Sequence, residues 1–557
     1  MIKQPEIDDG ELPEPGNDHF VEFAITGPPG TGKTTWLARQ ARLACEKHNP
    51  DKVLITSLTR AAAAEIAGRD TPIPRNNIGT LHSLCFRSLG SPIIAETRFH
   101  EFNADFPQFR LSTDHVKGED SEVEAPGLVT QGDKLLSEVN LLRQQMIPVE
   151  RYAEKHKMFI KRYSEWKVEN ELLDFTDLIE RALDDVLYAP GRPTVLLGDE
   201  CQDWSLLETN LMRKWGMETE TFIRVGDPDQ AIYEWRGADP DTFRRSNIPS
   251  ENRRILKQSY RVPRAVHELA IQWIKQITER DDIEYLPTVN EGRVTFGSGS
   301  YRTPESFIDE IVKRIDAGQS VMVLGTCAYM LEPLKMVLKR LGVPFHNPYR
   351  KTRGDWNPLR HGRGVSATER LFAFLSEHAP LWQDEARRWT WQDLKRWTKI
   401  VNSKQILAHG AKKQIEDADK EGSPTIDELC DLFRDSFILG DLVRKAAKGD
   451  HRVYLDMVTP ANRPRFDYIK AVIDRHSFAG LTDTPKLTIG TVHSVKGGEA
   501  DAVFLFPDLS QAGMLQWITQ GRGHDGIVRL MYVAMTRARN EIVLLQPASD
   551  LNIGSLK

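Results

Sequence analysis

Residues 21–34 read Val21-Glu22-Phe23-Ala24-Ile25-Thr26 and then Gly27-Pro28-Pro29-Gly30-Thr31-Gly32-Lys33-Thr34. The first six residues are a strand candidate, and the next eight fit G-x-x-x-x-G-K-[ST] without a mismatch. The stretch beginning Thr35-Trp36-Leu37-Ala38-Arg39-Gln40-Ala41 continues as a helix candidate. Strand, glycine turn and helix in this order decide the fold class, because they build a phosphate cradle at the end of a parallel strand. The glycines let backbone N–H groups close around phosphate oxygens, and the helix N-terminus adds its dipole. Lys33 is placed to reach the β- and γ-phosphates, and the Thr34 hydroxyl to sit on Mg2+.

A partner site is expected downstream. The apolar run Thr194-Val195-Leu196-Leu197-Gly198 ends in Asp199-Glu200. An acidic residue at such a strand end holds the metal of a phosphate loop, which gives Asp199 that role. Glu200 is placed to orient and deprotonate an attacking water. Phosphoryl transfer also needs positive charge on the transferred group, and Arg261 and Arg537 are the candidates.

Residues 226–239, Gly-Asp-Pro-Asp-Gln-Ala-Ile-Tyr-Glu-Trp-Arg-Gly-Ala-Asp, follow another apolar run, 221–225. They place Gln230, a hydrogen-bond donor and acceptor, five residues before the flat ring of Trp235. Read alone, such a Trp is core rather than stacking platform by about two to one.

These stretches, in this order, resemble the superfamily 1 helicases of the UvrD/Rep/PcrA type. The other matching segments are 57–66, 79–83, 258–261, 488–499 and 529–539, with Asp174-Phe175-Thr176-Asp177-Leu178 just before Asp199-Glu200-Cys201-Gln202-Asp203. The resemblance implies two RecA-like cores of α/β class, each with a largely helical insertion, using ATP and Mg2+. Gly27, Pro28, Pro29, Gly30, Thr31, Gly32, Lys33, Thr34 and Thr35 would cradle the nucleotide. Tyr260 would stack on the adenine, Glu499 would bond the ribose, and Gln230 would sense the γ-phosphate. Thr59, Arg60, His82, Trp235 and His493 would line a single-strand track, which suits sequence-indifferent binding by aromatic platforms in a basic groove. The form of 226–239 favours the branch that moves 3′→5′. Residues 1–20 are acidic and Pro/Gly-rich and lack the Leu-Asn-x-x-Gln stretch that reads adenine in this family.

The motifs divide the chain. Core 1A is expected over 1–90 and 171–252, with insertion 1B over 91–170. Core 2A is expected over 253–350 and 481–557, with the helical insertion 2B over 351–480. Further strands are expected at 53–57, 321–325, 487–491, 502–506 and 541–545. Within 2B, Trp382, Trp389 and Trp397 share a helical face, where core packing outweighs base stacking by about two to one. Two basic clusters stand out, one from Arg244 to Arg264 and one holding Lys351, Arg353, Arg360 and Arg363. The chain ends shortly after Arg539, and no appended nuclease domain is expected.

A length of 557 residues calls for more than one core, and 40% hydrophobic with 28% charged residues suits a soluble globular protein. A net charge of −6 argues against coating duplex DNA by bulk charge but allows a local basic channel. The five cysteines form no C-x-x-C pair, so no zinc or iron–sulfur site is expected, and their spacing suits a reducing cytoplasm. No membrane span or secretory signal is visible, and a bacterial or phage-encoded cytoplasmic protein is expected. The leading expectation is an ATP-dependent 3′→5′ DNA helicase acting on single strands and single-strand/duplex junctions, with accessory repair or replication proteins as partners. The alternatives are a translocase that strips bound proteins without processive unwinding, and a DNA-binding subunit with a vestigial ATPase.

Overall fold

The computed structural model describes residues 20–57, 72–113, 130–349, 356–359, 370, 389–419, 422–435, 440, 457–476 and 479–554. Two all-parallel sheets organise them. The first contains β1 (Val21–Thr26), β2 (Val53–Ser57), β3 (Ile78–Gly79), β6 (Val195–Asp199), β7 (Thr221–Gly226) and β8 (Arg253–Ile255), in the order β3-β2-β6-β7-β1-β8. The second contains β9 (Arg293–Phe296), β10 (Val321–Gly325), β11 (Leu487–Thr491), β12 (Ala500–Leu505) and β13 (Ala538–Leu544), in the order β11-β10-β12-β13-β9. The central strands are Val/Ile/Leu-rich and fully buried, as β2, β6 and β10 illustrate. A parallel sheet covered on both faces requires this pattern.

The expected strands at 21–26, 53–57, 321–325 and 487–491 stand at those positions, and the others shift by one to three residues. Within these two sheets, the short strands β3, β8 and β9 stand outside the expected runs. Of these, β8 corrects the expected division at residue 253. Arg253–Ile255 is the edge strand of the first sheet, with Ala24 opposite Arg253 and Thr26 opposite Ile255. Two arginines in three residues hide the strand from a hydrophobicity reading, yet charged side chains are common on an edge strand. Its placement sends the following segment, Leu256–Val262, directly over the glycine loop.

Residues 91–170 leave and rejoin the first sheet through a small parallel pair, β4 (Ile93–Ile94) with β5 (Leu172–Leu173). They bury their own aromatic cluster, with Phe102 packed edge-on to Tyr163 at 5.5 Å and against Trp166 at 5.2 Å. The helices Gln131–Gln144 and Glu154–Glu169 are fastened to Phe175–Asp185 by charge. Arg143 binds Asp174 at 2.9 Å, Asp177 at 2.5 Å and Glu180 at 2.6 Å, and Lys167 binds Asp174 and Asp177, each at 2.5 Å. Burial works against ionisation of Asp174, but Arg143 and Lys167 hold its carboxyl below the usual range.

Among 351–480, the described part is mostly helical, including Trp391–Thr398 and Arg463–His476. Trp389, Trp391 and Trp397 lie in one apolar core continuous with a face of the second sheet. Trp389 and Trp397 are 6.3 Å apart between ring centroids, so both are packing residues. Trp382 and the cluster Lys351, Arg353, Arg360 and Arg363 lie outside the described residues. The first basic cluster is largely paired locally: Arg244 with Asp241 and Glu279, Lys257 with Glu284, and Arg253 with the Ile248 carbonyl. Among the described residues no helix is long and apolar enough to cross a membrane, and no group of His, Cys, Asp and Glu gathers as a metal cluster.

Removing Arg143 leaves the buried Asp174 carboxylate with half its compensation. Arg143→Ala is expected to destabilise this helical region by about 3–5 kcal/mol, measured by denaturant unfolding.

Candidate nucleotide site

The glycine loop joins β1 to the helix Lys33–Lys47, and Gly32 is the residue before that helix. Gly30 and Gly32 both have positive φ, 74° and 78°. Gly30 also has no room for a side chain, because a Cβ there would lie 2.5 Å from the Arg261 Cβ and 2.8 Å from the Ser259 Oγ. The loop is clamped from the segment after β8. Tyr260 N–H donates to the Gly30 carbonyl at 2.8 Å, and Ser259 Oγ to the Pro29 carbonyl at 2.9 Å. Tyr285 OH donates to the same Pro29 carbonyl at 2.8 Å. Tyr285 carries no motif signal, and sequence reading missed it.

Lys33 Nζ donates to the Gly27 carbonyl at 2.7 Å, so its ammonium curls back over the loop. Thr34 Oγ1 lies 3.3 Å from Asp199 Oδ2 across the end of β6. Thr35 follows in the first turn of the helix. Burial and the adjacent Glu200 push the Asp199 carboxyl up to about 7. Burial opposes ionisation of Glu200 too, but Lys496, Lys33 and a hydrogen bond from Gln202 hold it low, to about 2. A hydroxyl beside a buried carboxylate is an all-oxygen donor set that fits Mg2+, and a cation there would take the place of the proton that burial favours on Asp199.

Gln202, which the sequence marked only as a motif member, ties two strand ends together. Its Nε2 donates to Glu200 Oε2 at 2.5 Å, and its Oε1 accepts from Asp227 N–H at 2.9 Å. Gln230 donates to Asp227 Oδ2 at 2.5 Å and accepts from Arg537 Nη2 at 3.0 Å. Arg537 comes from the turn between the helix Arg522–Met535 and β13 and is 2% exposed. It also donates to the Gly498 carbonyl at 3.3 Å and the Val533 carbonyl at 2.9 Å. Burial, aided by the nearby Arg261 charge, pulls Arg537 down to about 9. Lys496, also overlooked, makes a second crossing between the sheets. It pairs with Asp203, donates to the Gln230 carbonyl at 2.9 Å and lies 3.5 Å from Glu200. The sequence signal for it was its place in 488–499.

Arg261 and Glu499, expected at the γ-phosphate and the ribose, hold each other. Arg261 Nε donates to Glu499 Oε2 at 2.6 Å. Tyr260 is 38% exposed beside the loop, open enough to take a base.

Trp235 is 46% exposed, which reverses the reading of it as core. It stands edge-on to His493, with ring centroids 6.4 Å apart. His493 Nε2 bonds the Ile232 carbonyl at 3.2 Å. Burial pulls His493 down to about 4, so it is a neutral ring rather than a phosphate-binding cation at neutral pH. His82 lies elsewhere, edge-on to Phe175 at 6.1 Å and 4.0 Å from Glu208. Thr59 and Arg60 lie outside the described residues.

Residues 21–248 match the UvrD/REP helicase N-terminal domain family. A probable DNA helicase II homologue of Mycoplasma capricolum is 26% identical over 354 residues, 58% of this chain and 49% of the relative. One of Mycoplasma pneumoniae is 23% identical over 600 aligned residues, 93% of this chain and 80% of the relative. The ATP-dependent DNA helicase PcrA of Staphylococcus aureus is 28% identical over 281 residues, 46% of this chain and 38% of the relative. The chain thus spans about half the length of the first of these relatives and less of the last. The phosphate loop, the acidic strand end and the two parallel sheets define the class as an α/β protein with a phosphate-loop nucleotide site. Over residues 21–248 the chain thus carries a domain like that of the UvrD/REP helicases, and the relatives it resembles are named as DNA helicases of that type.

Gly30→Ala tests the clamp. The added Cβ meets Arg261 and the positive φ adds strain, so nucleotide affinity is expected to fall by at least about tenfold in an equilibrium titration.

Proposed function

We propose that this chain is an ATP-driven DNA motor that moves 3′→5′ along a single strand and separates duplex at a junction. The observation that carries the reading is Gln230, which joins Asp227, just after β7 of the first sheet, to Arg537, just before β13 of the second, by its two amide ends. On this reading the division of roles follows the two sheets. Lys33 and the glycine loop bind the phosphates, while Thr34 and Asp199 hold Mg2+. The magnesium ion, when bound, neutralises phosphate charge. Glu200, kept ionised by Lys496 and Lys33, takes the proton of the attacking water. Arg261 and Arg537 bring positive charge to the γ-phosphate from the other side of the cleft. Tyr260 stacks on the base, and Glu499 turns to the ribose once Arg261 is engaged.

The strand path on this reading passes Trp235 and His493, with Thr59, Arg60 and His82 contributing from the first core. Cores 1A and 2A move relative to each other with each turnover, and the insertions 1B and 2B flank the junction.

Strand displacement on 3′- and 5′-tailed duplexes, with ATP and GTP compared, is the direct test. Unwinding from the 3′ tail is expected, and unwinding only from a 5′ tail overturns the polarity. Lys33→Ala is expected to lower DNA-stimulated hydrolysis by roughly two orders of magnitude while single-strand binding persists, and retained turnover removes Lys33 from the chemistry. Trp235→Ala is expected to slow unwinding by about tenfold or more, in keeping with the loss of one base stack, with basal hydrolysis nearly unchanged. An equal fall in both would make Trp235 a packing residue.

A further inference from the structure

We propose that Arg539 is a positioning residue of the nucleotide site, which keeps Glu499 neutralised while Arg261 is handed from Glu499 to the incoming phosphates. The inference rests on the nucleotide-site reading given above. Glu499 has two cationic partners, one on each carboxylate oxygen. Oε2 accepts from Arg261 Nε at 2.6 Å, and Oε1 accepts from Arg539 Nη1 at 3.3 Å. The two arginines are mounted differently. Arg261 lies on the segment that clamps the glycine loop. Arg539 is anchored in the second sheet, where Nη2 lies 3.1 Å from Asp501 Oδ1 and 3.2 Å from Ser320 Oγ. That anchor is itself fixed, because Asp501 Oδ2 accepts from both the Ser320 N–H and its hydroxyl at 2.8 Å.

Charge balance gives the consequence. The guanidiniums bonded to the carboxylates Glu499 and Asp501 are Arg261 and Arg539, and the buried Arg537 also lies close enough to act on Glu499 through its charge. Phosphates that draw Arg261 away leave Glu499 behind, next to an arriving polyanion. With Arg539 in place the carboxylate keeps a partner, and its other oxygen is released in a fixed orientation. Without Arg539, Glu499 and Asp501 stand as two negative groups, which hold Arg261 back and repel the nucleotide. The loss therefore falls on nucleotide affinity rather than on the chemical step. Glu499 and Arg539 are 39% and 41% exposed, so solvent screens the effect to that of a partly exposed ion pair.

The test titrates a fluorescent non-hydrolysable ATP analogue with Mg2+ into the full chain and measures DNA-stimulated turnover in parallel. Arg539→Gln is expected to weaken analogue binding and raise KM for ATP by on the order of fivefold, with kcat held within about twofold. Arg539→Lys is expected to recover most of the affinity, and in a Glu499→Gln background Arg539→Gln is expected to have almost no further effect. The proposal is overturned if Arg539→Gln leaves affinity unchanged. It is equally overturned if the loss persists undiminished with Glu499→Gln, or if kcat falls while KM stays constant. Wild-type protein that binds the analogue but neither hydrolyses ATP nor unwinds DNA defeats the motor reading alone, and the binding arm still decides Arg539. Wild-type protein that binds no nucleotide defeats both.

Discussion

Arg537 is a guanidinium buried between two parallel sheets, and its hydrogen bond to Gln230 is the contact on which the arrangement of the site depends. A buried cation costs free energy unless its surroundings repay it. Its hydrogen bonds go to neutral groups, the Gln230 amide and the carbonyls of Gly498 and Val533, while Glu200 and Glu499 act on it through charge. Burial and Arg261 nevertheless pull it down to about 9, so the site favours an added negative charge at this point.

The opposite holds a short way along the first sheet. Asp199 stands at the end of β6 beside Glu200, and burial with that neighbour pushes it up to about 7. That point favours an added positive charge. A site that asks for an anion near Arg537 and a cation near Asp199 is complementary to a metal-bound phosphate chain rather than to either ion alone. The parallel topology explains why the two demands lie so close. Strand C-terminal ends gather Asp199, Asp227 and the glycine loop on one rim of the first sheet, and helix N-termini add their positive ends there.

Much of this was legible in the sequence because the signals are local. The glycine loop is a run of eight residues, and the buried strands β2, β6 and β10 are mostly apolar runs. The illegible parts have no local signature. The strand β8 is short and arginine-rich, and only its partner β1 makes it a strand. Tyr285 reaches the Pro29 carbonyl from 256 residues away. Lys496 was visible as a motif member, but its contact with Asp203 depends on how the two sheets face each other. For Trp235, burial tendency pointed to the core, and exposure is decided by the turn of Glu234–Arg236 and the left-handed Gly237 after it. Gly237 has φ 99°, and a Cβ there would lie 2.6 Å from the Gln144 Cβ, so the turn admits no other residue easily.

The tether from Asp229 to Trp235 belongs to the first core by covalent sequence and to the second half of the chain by contact. Asp229 is bound by Arg280 at 2.7 Å, and the Gln230 side chain by Arg537. The Ile232 carbonyl is bound by His493, Tyr233 OH donates to the His493 carbonyl at 3.4 Å, and Glu234 is bound by Arg529 at 2.5 Å. Nearly every residue of the tether is therefore held by a partner beyond residue 279. A packed interface of this kind shifts between discrete arrangements rather than stretching. A change in how the two sheets face each other must either break these bonds one by one or carry the tether along. Carrying it along moves the Trp235 ring, the exposed end of the segment, while the Gln230 end stays against Asp227 at the phosphate side of β7.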